Sequence, residues 1–224
     1  GAKPAEIWPC ASGMNAFYGA FRAIQSVQRA RGRRRWLQLG WLYVDSGSIL
    51  EKYLGAGEEL EICHRVESVE SVLEAIANCG EELAALVVEC PSNPLIKSCD
   101  LARIAAAVRA QGGMVLVDPT IASVYAVDVL KYADVLATSL TKYAGHGADL
   151  MTGALVLNTD SSHAADLRPG LERWHLKPYA RDLARLAESM QDAPAKVAVM
   201  QANAKRLLAF LEALLQSGGA ERRE

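Results

Sequence analysis

Apolar residues recur at Met14, Phe17, Tyr18, Phe21, Ile24 and Val27, a spacing that places them on one face of a helix. Ser12 stands just before them as an N-cap, and the small-residue start leaves the first backbone N–H groups open to an anion. Downstream the pattern alternates. Trp36 to Tyr43 reads as a strand, and Ser46 or Ser48 caps a short helix through Tyr53 that Gly55 and Gly57 close. Leu60 to Cys63 is a short strand and Val69 to Ala77 an amphipathic helix. Leu83 to Val88 is a continuous apolar run of the kind a parallel sheet buries on both faces. Asp100 caps a helix from Leu101 to Ala110, which Gly112-Gly113 stop, and Met114 to Val117 is a second buried strand. Further strands are expected at Val135 to Thr138 and Ala154 to Asn158, with helix from about Ser161 onward. Residues 1–11, with Pro4 and Pro9, read as irregular, and the tail from Ser217 as polar and frayed. Helix and strand alternating with short connections predict an α/β fold with a mostly parallel sheet.

Composition narrows the function classes. The 224 residues are 51% hydrophobic, enough for one large core, and 24 basic against 26 acidic residues leave a net charge of −2. That balance argues against a nucleic-acid partner. The one basic cluster, Arg29, Arg31, Arg33, Arg34 and Arg35, falls where a helix ends and reads as dipole complementation and solvation. No apolar run reaches the roughly 20 residues a bilayer-spanning helix needs, so no membrane association is expected. Five scattered cysteines without zinc or disulfide spacing point to a reducing, cytoplasmic setting. No Gly-x-Gly-x-x-Gly follows a strand, so a dinucleotide site lacks support.

The candidate chemistry gathers at strand ends. Ser139-Leu140-Thr141-Lys142-Tyr143-Ala144-Gly145-His146-Gly147 sets one lysine between hydroxyl residues where a strand gives way to a turn. An amine there faces the carboxyl edge of the sheet, where open α/β folds keep ligands. Part-buried beside a cofactor, it becomes a competent nucleophile. Asp118 ends the strand before it, and Tyr43, the Ser92-Asn93 turn and the Ser12-Gly13-Met14 helix start face the same edge. Together these groups suit a phosphorylated, nitrogen-containing aromatic aldehyde. Asp118 pairs with the ring nitrogen, Tyr43 stacks on the ring, and Ser139, Thr141 and the Gly13 and Met14 amides hold the phosphate. Glu89 reads as a residue that orients the neighbouring loop, and His146 as structural.

Val88-Glu89-Cys90-Pro91-Ser92-Asn93-Pro94, Val117-Asp118-Pro119-Thr120 and Ser139-Leu140-Thr141-Lys142-Tyr143, in that order, resemble the Cys/Met-metabolism pyridoxal-phosphate enzymes of the cystathionine γ-synthase, cystathionine lyase and methionine γ-lyase type. Ser12-Gly13-Met14 and Leu42-Tyr43 match in register. The resemblance implies a three-layer fold-type-I large domain with a mostly parallel seven-stranded sheet, spanning residues 1–195. Residues 196–224 would form a helix leading to a C-terminal small domain absent from this chain. It also implies pyridoxal 5'-phosphate as cofactor and Lys142 as Schiff-base lysine and proton carrier. Asp118 would hold the ring nitrogen, and Tyr43 would stack and assist proton transfer. Ser12, Gly13, Met14, Ser139 and Thr141 would surround the phosphate, and Asn93 would contact the phenolate oxygen or the substrate.

The implied reaction is elimination or replacement at the β or γ carbon of a sulfur-containing or O-acylated amino acid, in a homodimer or homotetramer. Three departures stand out. Val44-Asp45-Ser46 follows Tyr43 where two glycines and a threonine are usual, Pro119 follows Asp118 where asparagine is usual, and no tyrosine-x-arginine arm precedes Ser12. Without that arm and the carboxylate-gripping arginine of the small domain, the alternative expectation is a truncated, non-catalytic cofactor-binding or oligomerisation domain.

Overall fold

The computed structural model describes residues 6–218. In chain order the elements are β1 (Ile7–Cys10), α1 (Gly13–Ala30), β2 (Arg35–Leu39), α2 (Val44–Tyr53), β3 (Glu59–Cys63), α3 (Val69–Cys79), β4 (Leu83–Glu89), α4 (Leu101–Ala110), β5 (Met114–Asp118), β6 (Val135–Ser139), β7 (Gly153–Leu157), α5 (Ala164–Trp174), α6 (Ala180–Ser189) and α7 (Ala193–Gly218). The strands form one seven-stranded sheet in the order β1-β7-β6-β5-β4-β2-β3. β3, β2, β4, β5 and β6 run parallel, whereas β7 is antiparallel to both neighbours.

Side chains alternate across the sheet and so divide the core in two. Trp36, Ala85, Val87, Met114, Leu116, Val135 and Ala137 face one way, onto Phe17, Phe21 and Ile24 of α1, Leu50 of α2 and Leu167 and Leu171 of α5. Leu37, Leu39, Leu86, Val88, Val115, Val117 and Leu136 face the other, onto Val72 and Ile76 of α3 and Ile104 and Val108 of α4. The result is helix, sheet, helix, the three-layer architecture expected. On the first face the Phe21 and Trp36 rings meet with centroids 5.2 Å apart, and both side chains are wholly buried. Phe21→Ala is therefore expected to destabilise the chain by about 3–5 kcal/mol, measured by urea unfolding, because α1 is held at both ends and cannot collapse into the void.

Three sequence expectations change. Residues 7–10 are not irregular: they form β1, an edge strand paired to β7 through Ile7–Val156 and Cys10–Gly153. Pro9 is tolerated there because one side of the strand has no ladder to serve. β2 stops at Leu39 rather than Tyr43, since Gly40 turns at φ +70° and a side chain there would strike Val66. Tyr43 accordingly occupies the N-cap position of α2.

The arginine cluster is likewise more than a solvated helix end. Arg29 pairs with the buried Glu58, Arg31 reaches Asp166 at 2.5 Å, Arg33 donates to the carbonyls of Leu83 and Gln111, and Arg35 donates to the Asn78 carbonyl. These contacts tie the end of α1 to its neighbours. α7 continues to Gly218, so the expected fraying of the tail concerns residues that lie mostly outside those described.

Candidate functional site

Five separate segments converge at the carboxyl edge of the parallel strands around a cavity of about 380 Å³, within the usual range for a small-molecule site. Ser12, Gly13, Met14, Tyr43, Asn93, Asp118, Ser139, Thr141 and Lys142 all line it. Every residue singled out from the sequence as a site residue is thus in one place. Ser46, Glu89, Thr120, Ile121, Tyr143 and Met151 complete the wall.

The helix start is built from close backbone approaches. Ser12 Oγ accepts from the Asn15 N–H at 3.0 Å, which caps α1 and leaves the Gly13 and Met14 N–H groups without an intrahelical acceptor. A Cβ on Gly13 would lie 2.7 Å from that of Ser139, and one on Gly153 would lie 2.4 Å from the Ser12 carbonyl oxygen. Only glycine at both positions lets the end of β6, the start of β7 and the first turn of α1 sit together. The outcome is two free amides and the positive end of an 18-residue helix beside the Ser139 hydroxyl. Gly13→Ala should leave the fold intact yet spread this corner, weakening binding of a phosphorylated ligand about tenfold or more in an absorbance titration.

Asp118 closes the floor. Its Oδ1 accepts from both the backbone N–H of Thr120, at 2.9 Å, and the Thr120 hydroxyl, at 2.5 Å. The same hydroxyl oxygen accepts from the Ser139 N–H at 2.9 Å, so Thr120 couples the ends of β5 and β6. Among the described residues nothing donates to Oδ2. Burial pushes the Asp118 carboxyl up from 3.8 to about 6, against the pull of the Thr120 donors. A half-buried carboxylate with one vacant oxygen is suited to a cationic N–H donor.

Glu89, at the end of β4, is buried and serves two loops at once. Oε1 accepts from the Tyr43 N–H and Oε2 from the Asn93 N–H at 3.2 Å. Burial raises its carboxyl to about 7, the Tyr43 amide opposing, the Asp118 charge adding and the Asn93 amide opposing. This is the loop-orienting role read from the sequence, and it is what brings Tyr43 and Asn93 to one wall.

Lys142 lies in the turn after β6 and is exposed, more open than the part-buried amine expected. Among the described residues it is the only cation on the cavity wall, and no carboxylate pairs with it. The turn is pinned from behind. Gly145 N–H donates to the Leu140 carbonyl at 2.7 Å, and the His146 ring sits 2.8 Å from Asp192 and 3.2 Å from the Ser189 carbonyl. His146 is structural, as read. Thr141 differs from expectation in detail, because its hydroxyl proton goes to the Thr152 carbonyl at 3.1 Å while its oxygen accepts from the Thr152 N–H at 3.0 Å. Thr120 is the residue sequence reasoning passed over. An acceptor two residues before a threonine at a strand end is its signal, the Asp-x-Thr turn.

These groups fit pyridoxal 5'-phosphate. Free amides and a hydroxyl at a helix N-terminus suit a phosphate dianion, the vacant Oδ2 suits a protonated ring nitrogen, and the unpaired amine suits an aldehyde.

A family model described as Cys/Met metabolism PLP-dependent enzyme matches residues 7–213. The chain is 38% identical over 209 residues to an L-2-amino-4-chloropent-4-enoate dechlorinase/desaturase of Streptantibioticus cattleyicolor, covering 93% of this chain and 42% of that protein. It is 31% identical over 209 residues to cystathionine γ-synthase of Neurospora crassa, covering 92% of this chain and 33% of the relative. Among solved structures, metB from Corynebacterium glutamicum superposes with a TM-score of 0.76 at 24% identity, over 92% of this chain and 52% of the other. The chain therefore spans less than half the length of the curated relatives it matches.

Proposed function

This chain belongs to the Cys/Met metabolism PLP-dependent enzymes, and on that premise we propose that it takes part in elimination or replacement at the β or γ carbon of a sulfur-containing or O-acylated amino acid. The observation that carries the reading is the convergence of nine residues from five segments on one cavity. Bound there, pyridoxal phosphate supplies an electron sink for the pair of electrons left at the substrate's α-carbon.

The rest is work for the chain's own side chains. Lys142 Nζ would hold the cofactor's aldehyde end and would serve as the base that takes the substrate's α-proton and delivers a proton at the neighbouring carbons. Asp118 Oδ2 would accept the ring N–H and keep that nitrogen cationic. The Gly13 and Met14 amides and the Ser139 hydroxyl would donate to the phosphate. Thr141 would join them if its hydroxyl turned from the Thr152 carbonyl. Tyr43 would cover the ring, and Asn93 would donate to the phenolate oxygen or the substrate. Glu89 keeps both in place.

A second reading has an observation of its own. Among the described residues no arginine lines the cavity to grip a substrate carboxylate, and on this reading the chain alone would bind cofactor without turning substrate over. Residues 1–195 then form a cofactor domain. The exposed Leu207, Leu208, Phe210, Leu211 and Leu214 of α7 support a helix that leads on to a further domain. Exposed Trp41, Val44, Leu95, Ile96 and Tyr179 support assembly as a homodimer or homotetramer. The unpaired cysteines support a reducing, cytoplasmic setting. No helix among the described residues is long and apolar enough to cross a membrane.

The test is to saturate purified protein with pyridoxal phosphate and supply an O-acylated homoserine with and without cysteine. 2-Oxobutyrate or cystathionine above a cofactor-only blank supports the enzyme. Bound cofactor with no product supports the second reading. The dechlorinase relative adds a γ-unsaturated chloro amino acid to the panel, with chloride release as readout.

A further inference from the structure

Cys90 and Cys99 sit at the two feet of the loop that carries Asn93. Cys90 directly follows β4 and its N–H donates to the Asp118 carbonyl at 3.1 Å, while Cys99 precedes the Asp100 cap of α4. Between them the loop is already closed on itself. Ser92 N–H donates to the Lys97 carbonyl at 2.9 Å, Ile96 N–H to the Ser92 carbonyl at 2.9 Å, and Lys97 N–H to Ser92 Oγ at 3.2 Å. The Ser92–Lys97 pairing brings the feet together, so that Cys90 and Cys99, each two residues further out, flank the closed end of the loop and pack on the same core cluster. Both are partly buried against the core layer of α3 and α4 and neither is in a disulfide.

We propose that Cys90 and Cys99 form an oxidisable dithiol, a modification site for low-molecular-weight disulfides at the root of the Asn93 loop. The Cys90 thiolate attacks one sulfur of the reagent, forming a mixed disulfide and expelling one thiolate. Cys99 then attacks Cys90 Sγ as a thiolate, its proton passing to the departing thiol. The second reagent thiol leaves and the Cys90–Cys99 bond forms. Two protein sulfurs lose one electron each, and the two reagent sulfurs gain them.

The pair is asymmetric in the sense this chemistry needs. The neighbouring Cys99 thiol brings Cys90 down to about 7 against the opposing effect of burial, and the Cys99 thiol is correspondingly raised. The other cysteines lack this activation: burial lifts Cys10 to about 12 and Cys63 to about 11, and Cys79 is raised as well. At neutral pH Cys90 is therefore expected to react at least tenfold faster than Cys63 or Cys79.

The test needs no cofactor and no activity. The native reduced chain is incubated with glutathione disulfide at pH 7.5, quenched with acid and mapped without reduction. Loss of two of the five free thiols, a linked Cys90–Cys99 peptide and recovery with dithiothreitol are expected. In Cys99→Ser the mixed disulfide should persist on Cys90, and in Cys90→Ser the Cys99 thiol should remain free. Five unchanged thiols, a mixed disulfide on Cys90 that persists in the native chain, or a linkage between any other pair would overturn the proposal. Near-UV circular dichroism of each variant confirms that the native fold is what reacts.

Discussion

Lys142→Ala is expected to abolish turnover with every substrate the chain accepts, while leaving the fold and the phosphate corner intact. A positioned acid–base group contributes roughly 10²- to 10⁴-fold to rate, and this one has no substitute. Among the described residues Lys142 is the only cation on the wall, and the other titratable groups lining it are the carboxylates of Glu89 and Asp118 and the phenols of Tyr43 and Tyr143. Because Lys142 is exposed and makes no ion pair among the described residues, its removal leaves no orphaned partner. The melting temperature of the cofactor-free chain should therefore change by no more than the scatter of a surface substitution. Single-turnover assays with and without added alkylamine check the assignment, since a small exogenous amine restores part of the proton transfer if the defect is chemical.

Asp118→Asn should pull activity and stability in opposite directions. The folded chain holds the Asp118 carboxyl at about 6 and that of Glu89 at about 7, each above its ordinary value. Between pH 4 and 7 the folded state thus binds more protons than the unfolded one, and stability conferred by these groups falls as pH rises through that window. Asparagine keeps an oxygen for the Thr120 donors and has no charge to bury. The cofactor-free variant should gain on the order of 2 kcal/mol at pH 7.5, with little gain at pH 4, where the wild-type carboxyl is already protonated. Activity should fall on the order of 10²-fold, because the fixed negative charge proposed to keep the ring nitrogen protonated is gone. Thermal melts at both pH values, with and without pyridoxal phosphate, separate the two effects.

Much of this was legible in the chain because its signals are local. The β4 run from Leu83, the Asp100 cap and the Ser12 cap each act over a few residues, and each element formed where those residues placed it. The site residues were legible for a related reason. They stand at strand ends and at one helix start, and a parallel sheet delivers all such ends to a single edge.

What stayed hidden is non-local. β1 has four residues, one of them proline, and becomes a strand only because β7, from the far end of the sequence, lies beside it. Trp41 and Leu42 extend the apolar run of β2 without belonging to it, since the positive φ at Gly40 ends the strand first. Which hydroxyl binds what was equally opaque. Thr141 is committed to Thr152 across 11 residues of sequence, and Thr120 binds Asp118 and Ser139 at once.

The central claim is that one amine, on Lys142, holds the aldehyde of a ring whose nitrogen rests on Asp118. The most direct measurement saturates the purified chain with pyridoxal phosphate, reduces it with borohydride, and maps phosphopyridoxyl-modified peptides by mass spectrometry. A single stoichiometric adduct on Lys142, weakened in Asp118→Asn and absent in Lys142→Ala, is the predicted result. Adducts scattered over several lysines, or one that survives in Lys142→Ala, would contradict it.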